Sequence, residues 1–134
     1  MSVSVKKNGA HMLLKIKVKT PHQGLHSITK TIAAEISKRS TSDGLCTLFL
    51  QHTSASLLIQ ESYDDSARRD LESWLDRLVP EDDSIYTHTL EGPDDMPAHI
   101  KAMLNATQIS IPFASGKLLL GTWQGIFLWE HRYS

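Results

Sequence analysis

The tightest constraint on the fold lies in residues 45–61. Two short apolar runs, Leu45-Cys46-Thr47-Leu48-Phe49-Leu50 and Leu57-Leu58-Ile59, flank a histidine, His52, and four small residues, Thr53-Ser54-Ala55-Ser56, with no Gly or Pro to make an ordinary turn. Runs this short suit a strand buried on both faces. A histidine enclosed there must hydrogen-bond or bind something, because an unpaired polar group in a core costs about 1–3 kcal/mol. The small residues leave room beside it for a ligand or another chain. A kinked core strand with one satisfied histidine fits the pattern, and so does a site built on His52.

A chain of 134 residues forms one domain over residues 1–134, large enough for a real core. The formal net charge of −1 gives no global field to attract nucleic acid or an acidic membrane surface. The charge is uneven: residues 1–40 hold eight Lys or Arg against Glu35 alone, while residues 61–95 hold twelve Asp or Glu against three Arg. Such asymmetry fits subunit contacts or a cation site as well as solvated faces. Cys46 is the only cysteine, so neither an internal disulfide nor a thiolate zinc cluster is available. Any metal therefore needs histidine and carboxylate ligands. No apolar run approaches the ~20 residues of a membrane span, and the N-terminus lacks a signal-peptide core, so the expected location is cytoplasmic.

Leu14, Ile16 and Val18 alternate with Lys15, Lys17 and Lys19, the pattern of a half-buried strand with its lysines outward. A helix follows, capped by Ser27 or Thr29, with Ile28, Ile32, Ala33 and Ile36 on one face. Residues 40–44 make the turn into the central stretch. Asp64 or Asp65 caps a second helix that carries Ala67, Leu71, Trp74, Leu75 and Leu78 at helical spacing and ends at Pro80. Residues 85–90 read as a short strand. Asp95 reads as the N-cap of a short helix with Pro97 in its first turn, which puts His99 near the positive end of the helix dipole and favours a neutral ring. Ile109 and Ile111 mark a strand ended by Pro112, and residues 123–130 form the last strand. With strands toward both ends and helices between, the fold class is α+β, a largely antiparallel sheet or sandwich with two or three helices.

Of seven histidines, His22 and His26 flank a loop, and His11 and His131 lie near the termini. His52, His88 and His99 each fall in or beside an ordered element, close to small or acidic residues. Three neutral imidazoles plus water make a common zinc site, although nothing local matches a zinc-binding motif. Glu61, Asp70, Asp94 and Glu130 are candidate carboxylates for orienting ligands or moving protons, and each also fits a helix cap or a surface acid. Trp123 suits stacking on a flat heterocycle, or a place in the core. There is no dinucleotide-binding glycine motif, no P-loop and no serine nucleophile elbow, and Lys and Arg are not interleaved with aromatics as single-stranded nucleic-acid binding requires.

His52-Thr53-Ser54-Ala55-Ser56-Leu57 with Glu61 and Asp70, Glu91-Gly92-Pro93-Asp94-Asp95-Met96-Pro97-Ala98-His99-Ile100-Lys101, and Gly121-Thr122-Trp123-Gln124-Gly125 together resemble the signature of the YjbQ family. The resemblance covers roughly residues 14–132. It implies a small α+β protein assembled as a homotrimer, with a metal site at His52, His88 and His99, zinc foremost and magnesium with a diphosphate substrate. It also implies a secondary thiamine-phosphate synthase activity, in which a pyrimidine diphosphate joins a thiazole phosphate and diphosphate leaves. On that reading Glu61 and Asp70 are the catalytic carboxylates. Thr53, Ser54, Trp123 and Gln124 shape the pocket for a small phosphorylated or heteroaromatic molecule. A metal-dependent hydrolase and a non-catalytic trimeric small-ligand-binding protein are the alternatives. Two departures stand out: Gln60 replaces the family's usual Asn, and the sequence stops at Ser134, before the family's usual basic C-terminal strand.

Overall fold

The computed structural model describes residues 1–7, 10–39 and 42–133. Eight strands and three helices follow in the order β1 (Ser2–Lys7), β2 (Ala10–Lys15), β3 (Gly24–Ser27), α1 (Thr29–Arg39), β4 (Gly44–Phe49), β5 (Ala55–Glu61), α2 (Asp65–Leu78), α3 (Asp95–Leu104), β6 (Gln108–Ala114), β7 (Lys117–Leu118) and β8 (Gln124–Glu130). They form two antiparallel sheets, a five-stranded one ordered β2-β1-β4-β6-β7 and a three-stranded one ordered β3-β8-β5. The fold is α+β, as the sequence pattern implies. Among the described residues, no helix is long and apolar enough to cross a membrane.

The two apolar runs of residues 45–61 belong to different sheets. β4 pairs with β1 and β6, and β5 pairs with β8. Residues 50–54 are therefore a crossover from one sheet to the other, with Ala55 and Ser56 already in β5, and not a kink in one strand. β4 is buried on one face only: Cys46 and Leu48 are inside, while Leu45 and Phe49 are 40% and 44% exposed. The strand buried on both faces is β8. Ile126 and Leu128 join Val3, Val5, Leu48, Leu57, Phe113 and the inner face of α1 in the main core. Phe127 and Trp129, pointing the other way, pack with Leu25, Leu75 and Val79 under α2. Gly125 opens this strand where a Cβ would lie 2.6 Å from that of Ser62 and 3.3 Å from Thr29 Oγ1. The missing side chain lets the start of α1 dock, and Thr29 Oγ1 accepts the Ile126 N–H at 2.9 Å.

Several local expectations change. Leu14, Ile16 and Val18 are half-buried and their lysine neighbours exposed, but strand pairing stops at Lys15 and an unforeseen β1 pairs with β2 along its whole length. Residues 40 and 41 of the expected turn lie outside the described residues. α2 begins at its N-cap Asp64, whose carboxylate accepts the Ser66 N–H at 2.9 Å, yet Trp74 and Leu78 are 54% and 52% exposed. Residues 85–90 form no strand, and Ile85 and Leu90 face solvent. Pro112 sits inside β6 instead of ending it. The neighbouring β7 is only two residues long, so the missing N–H breaks little of the ladder.

One polar pair is enclosed on the α3 side of the three-stranded sheet. Ser56 Oγ and His131 Nε2 are 2.6 Å apart, both residues are essentially solvent-free, and His131 Nδ1 has no partner. Burial first, and the Lys101 charge second, push the His131 pKa down from 6.5 to about 3. The unfolded chain therefore binds a proton that the folded one refuses between those pH values. Stability is full above about pH 6.5 and falls as pH drops toward 3. At about 1.4 kcal/mol per pKa unit, roughly 3 kcal/mol is lost by pH 4. Denaturant unfolding at pH 7 and pH 4 should show this loss, and His131→Gln should shrink the difference between the two pH values by a comparable amount.

Candidate metal centre

His88, Asp95 and His99 each offer a ligand atom, and these atoms all lie within 4.8 Å of one another. His88 comes from the exposed loop after α2. Asp95 and His99 lie one turn apart on the same face of α3. Both imidazoles present Nε2 to one oxygen: His88 Nε2 is 2.9 Å and His99 Nε2 is 3.1 Å from Asp95 Oδ2. The rings are tilted at 48° with centroids 5.5 Å apart. The other Asp95 oxygen accepts from Arg132 Nη1. Asp95 thus does not serve as the helix cap that its position suggests. Asp94 is the N-cap residue, and it makes no side-chain cap bond either.

Arg132 locks the two aspartates to the end of β8. Its Nε donates to Asp94 Oδ2 at 3.0 Å, its Nη2 to the Glu91 carbonyl at 2.8 Å, and the Tyr133 N–H donates to the same Asp94 oxygen. These acidic partners raise the Arg132 pKa, the Asp94 hydrogen bond most of all. Burial alone would push the Asp95 carboxyl up. The hydrogen bond from His88, the charges of His99 and Arg132 and the His99 contact together outweigh it and hold the carboxyl below its ordinary range.

The backbone fixes the tautomers of two histidines. His99 Nδ1 lies 2.9 Å from the Thr53 carbonyl, which can only accept, so this nitrogen carries the proton. His99 Nε2 then faces a carboxylate with either a lone pair or a second proton. A lone pair against a carboxylate is repulsive unless a cation lies between them, and a second proton makes imidazolium. His52 has the opposite arrangement. Its Nδ1 accepts the Ser54 N–H at 3.0 Å and lies 3.1 Å from Ser54 Oγ, so the neutral ring holds its proton on Nε2. His52 thus presents a donor rather than a ligand lone pair, and it is not part of the gathered set.

The remaining candidates are dispersed. Thr53 contributes its carbonyl to His99, and Ser54 is buried with its N–H and hydroxyl on His52 and its carbonyl accepting the His131 N–H. Glu61 pairs in register with Gln124, and its carboxylate accepts the Asp64 N–H at 3.1 Å. Trp123, 55% exposed, meets Tyr63 edge-on at 4.9 Å, and Gln124 Oε1 accepts the Gly121 N–H. These residues stand at the start of β8, whereas Arg132 and the histidine cluster lie past its end. Seven residues of strand put roughly 20 Å between the two groups, at ~3.3 Å per residue. Within one chain they cannot share a pocket. Asp70 is exposed on α2, and Glu130 accepts from Thr20 and from the Arg132 N–H. The cluster members hardest to read from sequence were Asp95 and Arg132. The four-residue spacing of Asp95 and His99 was the available signal for the first. Nothing local marks the second.

Two sheets joined by the β4–β5 crossover, with paired histidines and an aspartate where α3 meets it, define a small α+β protein with a candidate cation site. The chain belongs to the UPF0047 YjbQ-like family, which it matches over residues 14–133. It is 49% identical over 115 residues to a UPF0047 protein of Synechocystis sp., covering 86% of this chain and 78% of that one. A conserved hypothetical protein of Thermus thermophilus superposes with a TM-score of 0.78 at 34% identity over 87% of both chains. A YbjQ-like protein of unknown function from Sulfolobus solfataricus gives 0.74 at 25% identity, over 87% of this chain and 81% of that one. The expectation of thiamine-phosphate synthesis is thereby overturned: the family is one of unknown function, and nothing in these similarities supports that activity. The site agrees with that correction: the Arg132 guanidinium beside it is already spent on Asp94, Asp95 and Glu91, and is not free to receive a departing diphosphate.

The tautomers are directly measurable. Long-range nitrogen–proton NMR correlations should show neutral His52 protonated on Nε2 and His99 protonated on Nδ1. The reverse pattern would contradict the hydrogen bonds to Ser54 and Thr53.

Proposed function

We propose that this protein binds a divalent transition-metal ion, zinc foremost, through His88 Nε2, His99 Nε2 and Asp95 Oδ2. The observation that carries this reading is His99, whose Nδ1 is committed to the Thr53 carbonyl while its Nε2 faces the carboxylate oxygen that His88 also approaches. A ligating histidine characteristically donates its other ring nitrogen to a carbonyl or carboxylate, which fixes its tautomer and orientation. Two imidazoles and one carboxylate suit zinc in ligand type. Three protein ligands leave one position of a tetrahedral ion for water or a small molecule, and the His88 side chain, 54% exposed, leaves that side open to solvent. Arg132 holds Asp95 from its far oxygen, so the carboxylate keeps its aim and its ionised state.

Calorimetric titration of zinc into metal-free protein should give one site per chain. Asp95→Asn and His99→Ala should each weaken it by about 100-fold or more, while His52→Ala leaves it nearly unchanged. An equal loss in His52→Ala would place the ion elsewhere.

We also propose a homotrimer, and a separate observation favours self-association. Leu13, Leu45 and Phe49 lie exposed on the outer face of the five-stranded sheet, and apolar side chains gathered on one face favour burial against another copy. Light scattering should give three times the 15.0 kDa chain mass. Leu45→Glu combined with Phe49→Glu should shift it toward monomer without loss of helix and sheet signal.

A further inference from the structure

A second site lies away from the histidine cluster, where the extended segment after β2 passes β3 and the first turns of α2. It is a cleft of about 430 Å³ whose charged and polar lining includes Lys17, Lys19, His22, His26, Thr31 and Arg68. No Asp or Glu lines it. Among the described residues, Lys17, Lys19 and Arg68 make no ion pair. Glu72, one turn along α2 from Arg68, is turned onto the Leu25 N–H at 2.8 Å. The lining of this cleft thus contributes three cationic residues and no carboxylate, in a chain whose net charge is −1.

Arg68 is the most specific part of this arrangement. Its guanidinium carbon sits 5.1 Å from the centre of the Phe127 ring, a cation–π contact that holds one face of the group. Its Nε is buried and has no hydrogen-bond partner. A buried donor without an acceptor costs about 1–3 kcal/mol, and more when charged. An oxyanion that draws the guanidinium edge toward the cleft supplies that acceptor, and a phosphate can take two parallel N–H bonds from Nε and Nη. Lys17 and Lys19, alternate residues of one extended segment, add charge from the same side. The His22 and His26 rings lie 4.5 Å apart at the rim, and the Thr31 hydroxyl offers a further donor. Val18, Leu25 and Ile28 complete the lining, which gives apolar surface for more than a bare ion.

We propose that the Lys17/Lys19/Arg68 cleft is a binding site for a phosphate group, carried on a small phosphomonoester whose organic part rests on the apolar lining. The site is independent of the metal centre and shares no residue with it. Its volume falls within the ~300–1,000 Å³ typical of small-molecule pockets.

The test is a titration of the full chain with inorganic phosphate, and separately with phenyl phosphate, at about 0.15 M salt so that loosely held surface ions are screened. It is followed through the ring resonances of His22 and His26. Saturable shifts of both are expected, with phenyl phosphate binding more tightly if the organic part contributes. Equal affinity would assign the site to the oxyanion alone and overturn the monoester half of the proposal. Arg68→Gln and, independently, Lys19→Gln should weaken binding about tenfold or more, while Arg39→Gln, on the far end of α1, should not. Folding of each variant is checked by its amide spectrum, and two variants keep the test open if one fails to fold. Repeating the titration in His99→Ala separates this site from the metal centre, since the His22 and His26 shifts should persist there. Shifts that do not saturate, that survive in Lys19→Gln and Arg68→Gln, or that vanish in His99→Ala would overturn the proposal.

Discussion

Everything in this protein is arranged around a strand that has no free face. β8 carries Ile126 and Leu128 into the core shared with the five-stranded sheet and α1, and Phe127 and Trp129 into the layer beneath α2. Four large side chains in four consecutive residues, 126–129, are removed from water there, at a gain of about 25 cal/mol per Å² of apolar surface. It also fixes register, because a one-residue slip would exchange the two sets. β3 and β5 pair on its edges, α1 docks through Thr29 onto Ile126, and the chain leaves its end as His131 and Arg132. The position of the candidate metal centre follows from where this strand stops.

At that point one carboxylate carries most of the local electrostatics. Asp95 is nearly buried, and a lone buried carboxylate would take up a proton. It stays ionised because Arg132 holds one oxygen and two imidazoles face the other. The same geometry that keeps the acid charged leaves two Nε2 atoms converging on a single point. Asp94 extends the arrangement by binding both Arg132 and the Tyr133 backbone, so the C-terminal segment acts as a strap across the start of α3. His131, one residue before the strap, is enclosed in its neutral form and ties the same segment to Ser56.

The uneven charge of the chain resolves into two separate environments. The acidic middle of the sequence supplies Asp94 and Asp95 at the histidine cluster, and also many solvated acids on α2 and its following loop. The basic N-terminal part supplies Lys17 and Lys19 to the cleft at Arg68, a residue that the acidic region contributes from α2. Membership of the UPF0047 family fits the fold closely, and the family is one of unknown function. Function therefore has to be argued from these two sites, because a shared fold fixes architecture and leaves chemistry to the side chains placed on it.

By itself the sequence determined the fold class and both long helices, and narrowed the cap of α2 to Asp64 or Asp65, because local periodicity and capping chemistry act within a few residues. The alternation of residues 14–18 gave the right side chains to the core even though strand pairing ends at Lys15. The sequence also singled out His88 and His99. Tertiary structure decided which strand is buried on both faces, since a short apolar run looks the same in β4 and β8 and only the layers packed against them differ. It decided that His52 lies in an exposed crossover with its ligand lone pair turned to the Ser54 N–H, and that Trp123 stands at the opposite end of β8 from the cluster. It brought Arg132 to Asp94 and Asp95 across 37 to 38 residues of chain. Contacts of that range depend on how strands are ordered in a sheet, and no spacing along the sequence encodes the order.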